Sequence, residues 1–333
     1  MANFYILLIC IFGFSLSAFP QLPTPVDREV NIEINADPFQ TFEIGNPSQQ
    51  RFGSLEFRGG MVLTSSHKLF GGISALRVQK DGEHFVALSD RGTWLQGRIV
   101  YKDDRPVRIA DASLAPVLDA DGNPAPRWDT ESIAENGSTL YVGLERLNSI
   151  VSFDYGKEGI RAPGRPVAVP PEAKDLPFNQ GFESMVFVDK KLPLGGTLIA
   201  ISEQGLTESG DIKAFLIGGP TPGMFAVKRT NQYAIGDAAI LPGGDILILE
   251  RQYSQERGVL MRIRRIRLAD IKPGAVVDGP TVIEADKRHQ IDNMEALSIH
   301  QDRGGELVLS IMSDNNHSER QRTLLLQFTL REK

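Results

Sequence analysis

Forty-two acidic against 36 basic residues leave this 333-residue chain at a net charge of −6. No basic stripe breaks that balance, which argues against a nucleic-acid-binding surface. The 41% hydrophobic and 23% charged content is that of a soluble globular protein, and the single cysteine, Cys10, excludes disulfides and cysteine metal sites.

Residues 1–18 carry no charged side chain, and residues 4–14 are almost wholly apolar before Ser15, Ser17 and Ala18. This reads as a secretory signal peptide, too short to span a membrane. It predicts export to a periplasm or the cell exterior, and a mature chain with neither cysteine nor transmembrane span. The missing basic start leaves a retained N-terminal anchor as the alternative. Residues 19–49 form a Pro-containing lead-in with a candidate strand at 30–34, and residues 50–333 form the main domain. Residues 53–64 (GSLEFRGGMVLT) add one or two further strands.

The stretch at 129–155 opens on the acidic Asp129 and sets the pattern for the rest. A half-apolar run after Glu131 meets a turn at Asn136-Gly137, a pair that favours hairpin geometry. A second run then ends on Glu145-Arg146, and a third, 149–155, alternates apolar and polar residues as a half-buried strand does. The unit recurs through turns at Asp81-Gly82, Gly195-Gly196, Gly243-Gly244 and Gly304-Gly305. Its opening positions 72, 131, 183, 237 and 295 return every 52 to 59 residues. A period of that size, filled with short strands and glycine turns, indicates a radial all-β repeat: a β-propeller of four-stranded antiparallel blades. Five blades is the direct count; six follows if residues 30–70 make a short blade. The last repeat shows three strands, so an N-terminal strand is expected to complete it and close the ring.

Some sequence features have simpler readings. RIRRIR at 262–267 reads as a strand with one wet, positive face. DADGNP at 119–124 has the oxygens of a calcium loop but lacks its later bidentate acid, so a surface turn is expected.

Inner strands of a propeller line its central channel. Glu131, Glu183, Asp237 and Glu295, with Gly72 as the odd member, are expected to ring it. A second acidic set, Asp90, Glu145, Glu203, Glu250 and Asp314, closes the following strands. Converging carboxylates repel one another unless cations or donors neutralise them, and hard oxygen ligands in such number suit calcium. The competing reading makes these acids backbone acceptors that tie blades together. Arg91, Arg146 and Arg251 follow acids at one repeat position and could fork onto an anionic substrate, or simply form salt bridges. Asp314-Asn315-Asn316-His317 adds further oxygen ligands and a histidine. Neither a phosphate-cradling loop nor a G-x-S-x-G elbow occurs.

FGGISAL…ALSDRG, DTESIA…YVGLER, GFESM…AISE, GDAAILPGGDILILER and DNMEALSIH…LVLSIMSDNNHSERQRTLLLQF resemble the phytase-like β-propeller family, whose members are labelled "esterase-like activity of phytase". The resemblance covers roughly residues 50–330. It implies a propeller fold, export, and phosphate-ester chemistry with calcium. The family's motifs fall here on Asp90, Arg91, Glu131, Glu145, Arg146, Glu183, Asp237, Glu250, Arg251, Asp292, Glu295, Asp314 and Asn316. The acid-rich calcium motifs of propeller phytases, with consecutive aspartates beside a Pro-Ala step, have no equivalent in this chain.

The expected function is an exported, calcium-dependent phosphoesterase or esterase, a monomer acting on a small anionic substrate. Asp90, Glu145, Glu203, Asp237, Glu250 and Asp314 are the expected calcium ligands. Glu131, Glu183 and Glu295 are the expected catalytic groups, and Arg91, Arg146 and Arg251 the expected substrate contacts. A non-catalytic envelope propeller that binds a ligand or protein is the alternative, and a lactonase-like hydrolase a further one.

Overall fold

A computed structural model describes residues 26–125 and 128–331. The apolar segment at residues 1–18, read as a signal peptide, lies outside the described residues. Short strands joined by tight turns build five antiparallel blades, which settles the count at five. From the channel outward, the first blade comprises Ile73–Val78, His84–Ser89, Thr93–Lys102 and Arg105–Pro116. The second comprises Thr130–Asn136, Thr139–Leu144, Ser149–Phe153 and Arg165–Val167. Phe182–Phe187, Thr197–Leu206, Ile212–Gly218 and Gly223–Val227 make the third. Ala234–Ile240, Ile246–Ser254, Gly258–Ile266 and Thr281–Ala285 make the fourth. In the fifth, Asn293–Gln301, Leu307–Asp314 and Thr323–Leu330 are joined by Leu55–Thr64.

The expected N-terminal closure is therefore made by the strand at Leu55–Thr64. It pairs antiparallel with the last strand of the fifth repeat, setting Leu326 opposite Gly60 and Leu325 opposite Met61. The lead-in straddles the seam. The candidate strand at 30–34 is shorter and shifted: Val30–Asn31 pairs with the outer edge of the first blade, and Asn35–Phe39 with the closing strand of the fifth. Early and late strands thus share one sheet, which joins the last blade to the start of the ring and covers its edge.

The inner hairpins turn where the glycine pairs lie. At Asn136-Gly137 the strands pair from Thr139 opposite Asn136 onward, and Gly137 takes a φ of 60°, a conformation that costs a residue with a Cβ. Apolar side chains alternate along each strand and fill the wedges between blades in five clusters. Met61, Ile73, Leu76 and Leu325 belong to the wedge between the fifth and first blades; Val186, Ile201, Ile235 and Ile248 belong to that between the third and fourth. Each inner strand touches the next, and the fifth returns to the first, which leaves a central channel lined by backbone and strand-end side chains.

Two local expectations resolve here. Residues 119–124 form a surface turn in which Asp119 Oδ1 accepts the backbone amides of Asp121 (3.0 Å) and Asn123 (2.9 Å). Along the 262–267 run the face carrying Arg262 and Arg264 is buried, not wet. Glu250 on the neighbouring strand takes both: Arg262 Nε donates to its Oε2 at 2.7 Å and Arg264 Nη2 to its Oε1 at 2.6 Å. Two charged strands are tolerated inside the blade because each guanidinium meets a carboxylate.

Candidate functional site

Every inner strand carries a β-bulge near its start. Ile73 faces Ser89 and Ala75 faces Leu88, skipping Ser74. By the same count Glu131, Glu183, Gly236 and Glu295 are skipped in the other blades. A bulged residue is released from the ladder and re-aimed, and these five positions ring one end of the channel. On the second strands, the residue just past the bulge partner is Asp90, Glu145, Glu203, Arg251 and Asp314 in turn.

Two of the expected ring acids fall out by one residue. In the fourth blade the equivalent positions belong to Gly236 and Arg251, and in the first blade Ser74 replaces the expected Gly72. Because neighbouring strand residues point to opposite faces, Asp237 and Glu250 turn away from the acidic end. Glu250 is fully buried against Arg262 and Arg264. Asp237 is also fully buried, accepting the amide of Leu297 at 2.8 Å and of Ala238 at 2.7 Å and pairing with Arg77 at 3.1 Å. Neither lines the acidic cavity. Arg251 consequently occupies the place of Asp90 and Glu145, not of Arg91 and Arg146.

Eight carboxylates do converge: Asp90, Asp129, Glu131, Glu145, Glu183, Glu203, Glu295 and Asp314 line a polar cavity of about 220 Å³, together with Arg146, Arg251, Asn179 and Asn316. Asp129 was not foreseen as a site residue. Its counterparts Gly181 and Asn293 are not acidic, so no repeat announced it. Arg91 does not line the cavity, and Asp292 is engaged by the backbone amides of Asn293 (2.9 Å) and Arg322 (3.1 Å).

Two guanidinium groups serve these eight acids, and they are unevenly placed. Arg251 reaches Glu203 at 3.0 Å, Glu295 at 3.2 Å and Glu183 at 3.6 Å. Arg146, 54% exposed, forms its ion pair with Asp129, at 2.6 Å. The corner formed by Asp129, Glu131 and Glu145 holds one oxygen of each carboxylate within 4.8 Å of the others. Electrostatics follow the crowding. Burial, reinforced by neighbouring carboxylates, pushes Glu131 and Glu183 well above the ordinary range. Burial and then Glu203 and Asp129 push Glu145 up to about 7; burial and then Glu295 push Asp314 up to about 8. Burial also raises Glu295, against the opposing pull of Arg251 and of Asn293, whose amide donates at 2.6 Å.

At the cavity edge, Asp90 Oδ1 and His317 Nε2 are buried, lack hydrogen-bond partners, and stand 3.8 Å apart. Gly72 makes this approach possible. A Cβ there would lie 2.3 Å from Asp90 Oδ1 and 2.7 Å from His317 Nε2, and its φ of +62° disfavours a side chain in any case.

The other end of the channel is closed by a residue that the repeat pattern does not reveal. Arg77 leaves the first blade's inner strand and donates to backbone carbonyls of all four others: Ile133, Met185 (3.2 Å), Ala238 (3.3 Å) and Leu297 (2.9 Å). Its charge is matched by Asp237. Beyond it lies a second cavity of about 420 Å³ lined by Arg77, Lys80, Glu135 and His300, among others.

The oxygen donors of the acidic cavity are eight carboxylates and two side-chain amides, with an unpartnered oxygen on Asp90. That chemistry fits a hard divalent cation such as calcium and not a soft metal. Fold and site together define a five-bladed propeller with an acid-lined channel. The chain belongs to the Phytase-like family, described as "esterase-like activity of phytase", which it matches over residues 68–317. No curated protein matches it. Among solved structures it is similar to a glutaminyl cyclase from Myxococcus xanthus, at 8% identity over 91% of this chain and 99% of that one, with a TM-score of 0.41. It is also similar to the PQQ-bound aldose sugar dehydrogenase from Streptomyces coelicolor, at 12% identity over 84% and 99% of the two chains, with a TM-score of 0.40. Likeness at that level carries no argument about activity. No helix among the described residues is long and apolar enough to cross a membrane.

Proposed function

We propose that this protein is an exported, calcium-dependent ester hydrolase of the phosphoesterase kind, acting on a small anionic substrate at the acidic end of the channel. The observation that carries the reading is the surplus of eight buried or half-buried carboxylates over two arginines in one cavity. Such a surplus is stable only with protons or a divalent cation. Asp129, Glu131 and Glu145 would hold the cation, the corner in which Arg251 forms no ion pair. Bound there, calcium would supply Lewis acidity toward an ester oxygen and lower the pKa of a water.

The chain's own groups divide the remaining tasks. Glu295, whose pKa burial raises against the opposing pull of Arg251 and Asn293, suits acceptance of a proton from water. Asp314, with a carboxyl pushed up to about 8, holds a proton at neutral pH that it can give to the leaving oxygen. Arg146, half-exposed at the mouth, can swing from Asp129 to a substrate oxyanion. Tyr253, 71% exposed, lines an adjoining pocket that shares Glu203, Arg251, Glu295 and Asn316 with the acidic cavity. It sets one aromatic ring beside the polar cavity, which favours esters with an aryl leaving group over uniformly polar ones.

Chelator-stripped protein assayed on p-nitrophenyl phosphate and on phytate tests the proposal. Turnover that appears with calcium and disappears in Glu131→Gln supports it. Equal turnover in chelator and in calcium rules it out. Specific ligand binding without turnover would favour a binding propeller, for which the exposed Tyr253 beside the cavity is the supporting observation.

A further inference from the structure

The acidic cavity is asymmetric, and the asymmetry traces to one blade. Four second strands deliver a carboxylate to the ring position, while the fourth blade delivers Arg251; its inner strand contributes Gly236, which has no side chain to place there. One nitrogen, Arg251 Nη2, stands within 3.6 Å of Glu183, Glu203 and Glu295 alike. Three carboxylates, two from the third blade and one from the fifth, around a single positive centre is the arrangement that a small cation would also draw. Beside them, Asp129, Glu131 and Glu145 are the closer-set group, with one oxygen of each within 4.8 Å of the others, and their one ion-pair partner is Arg146, which pairs with Asp129 alone of the three.

We propose that Arg251 is a tethered substitute for a second metal ion: the cavity accepts one divalent cation, in the Asp129–Glu131–Glu145 corner, and Arg251 closes the other corner to a second. The inference rests on the metal reading of the cavity for its first half only. A guanidinium cannot leave, so that corner keeps one positive charge among its three carboxylates without metal. Glu295 is thereby kept free of metal, available to exchange a proton with substrate or water.

Calorimetric titration of the stripped full-length chain with calcium chloride, for wild type, Arg251→Met and Arg251→Lys, tests this by stoichiometry. Melting temperature measured on the same samples gives a second readout independent of turnover. One equivalent bound by wild type and by Arg251→Lys, and two by Arg251→Met, is the expected result. Arg251→Met should also melt lower than wild type without calcium and recover more on its addition. Two equivalents in wild type, or one in Arg251→Met, overturn the proposal. If wild type binds none while Arg251→Met binds one, the metal reading of the first corner fails and the substitution role of Arg251 stands; none in either overturns both. Should Arg251→Met not fold, Glu203→Gln decides. It should retain one equivalent with affinity changed less than about tenfold, as for a charge outside the ligand set. Loss of binding in Glu203→Gln, with Arg251 in place, overturns the assignment of separate corners.

Discussion

Replacing Arg77 by Met should be the most damaging single change in the channel, although this residue touches no cavity acid. The substitution preserves most of the aliphatic stem and removes the guanidinium that four blades share. Asp237, fully buried, would lose the counter-charge it now meets at 3.1 Å. Breaking a buried pair from one side costs about 3–5 kcal/mol, and the stranded carbonyls of Met185, Ala238 and Leu297 add to that where water cannot reach them. With roughly 2–4 °C lost per kcal/mol for a chain of a few hundred residues, melting should fall on the order of 10 °C. Differential scanning calorimetry of wild type, Arg77→Met, Asp237→Asn and the double variant reads both the loss and the coupling. The double variant should recover about 2 kcal/mol relative to additivity, because the amide introduced by Asp237→Asn still accepts the Leu297 N–H without a charge to bury. A fall below about 3 °C, or strict additivity, would refute the view that one arginine holds the five inner strands together.

Without metal, stability should fall as pH rises from about 4.5 to 8. Glu145 and Asp314 have native values pushed up to about 7 and about 8, above their unfolded ones, so the native state holds more protons across that window and loses its advantage as they leave. Calcium should flatten or reverse the slope, and its binding should release protons; melting curves across pH with and without calcium check both. Arg264→Met should cost about 2–4 kcal/mol in urea unfolding by leaving Glu250 with Arg262 alone, while calcium stoichiometry is unchanged. Gly72→Ala should lower stability by about 1–2 kcal/mol through its positive φ, with a further cost from the Cβ meeting Asp90 and His317, read as a lower melting temperature. Tyr253→Ala should raise KM for an aryl phosphate and leave that for phytate near wild type.

Much of this was legible in the chain. Strand–turn–strand units flagged by Asn136-Gly137 and the glycine pairs repeat often enough to define blades, and an incomplete last repeat called for an N-terminal partner. The acids at 90, 131, 145, 183, 203, 295 and 314 were readable as a set because each falls near the start of an inner strand or at the end of the strand that follows it. Register was not readable. A bulge adds one residue without changing composition, so in the fourth blade the eye takes Asp237 and Glu250 for ring members when Gly236 and Arg251 hold those places. Asp129 and Arg77 stayed hidden for another reason: neither has an equivalent in the repeat, and the partners of Arg77 are mostly carbonyls, which leave no trace in side-chain pattern. Charge on Arg262 and Arg264 suggested solvent, but the deciding partner, Glu250, lies on the neighbouring strand.

The most direct test of the central claim is to titrate one stripped sample with calcium by calorimetry and then follow phosphate release from p-nitrophenyl phosphate on that sample, beside Glu131→Gln. Calcium binding in wild type that tracks the appearance of turnover, with both lost in Glu131→Gln, is the predicted result. Turnover undiminished in the stripped protein, or calcium binding untouched by Glu131→Gln, would contradict the account.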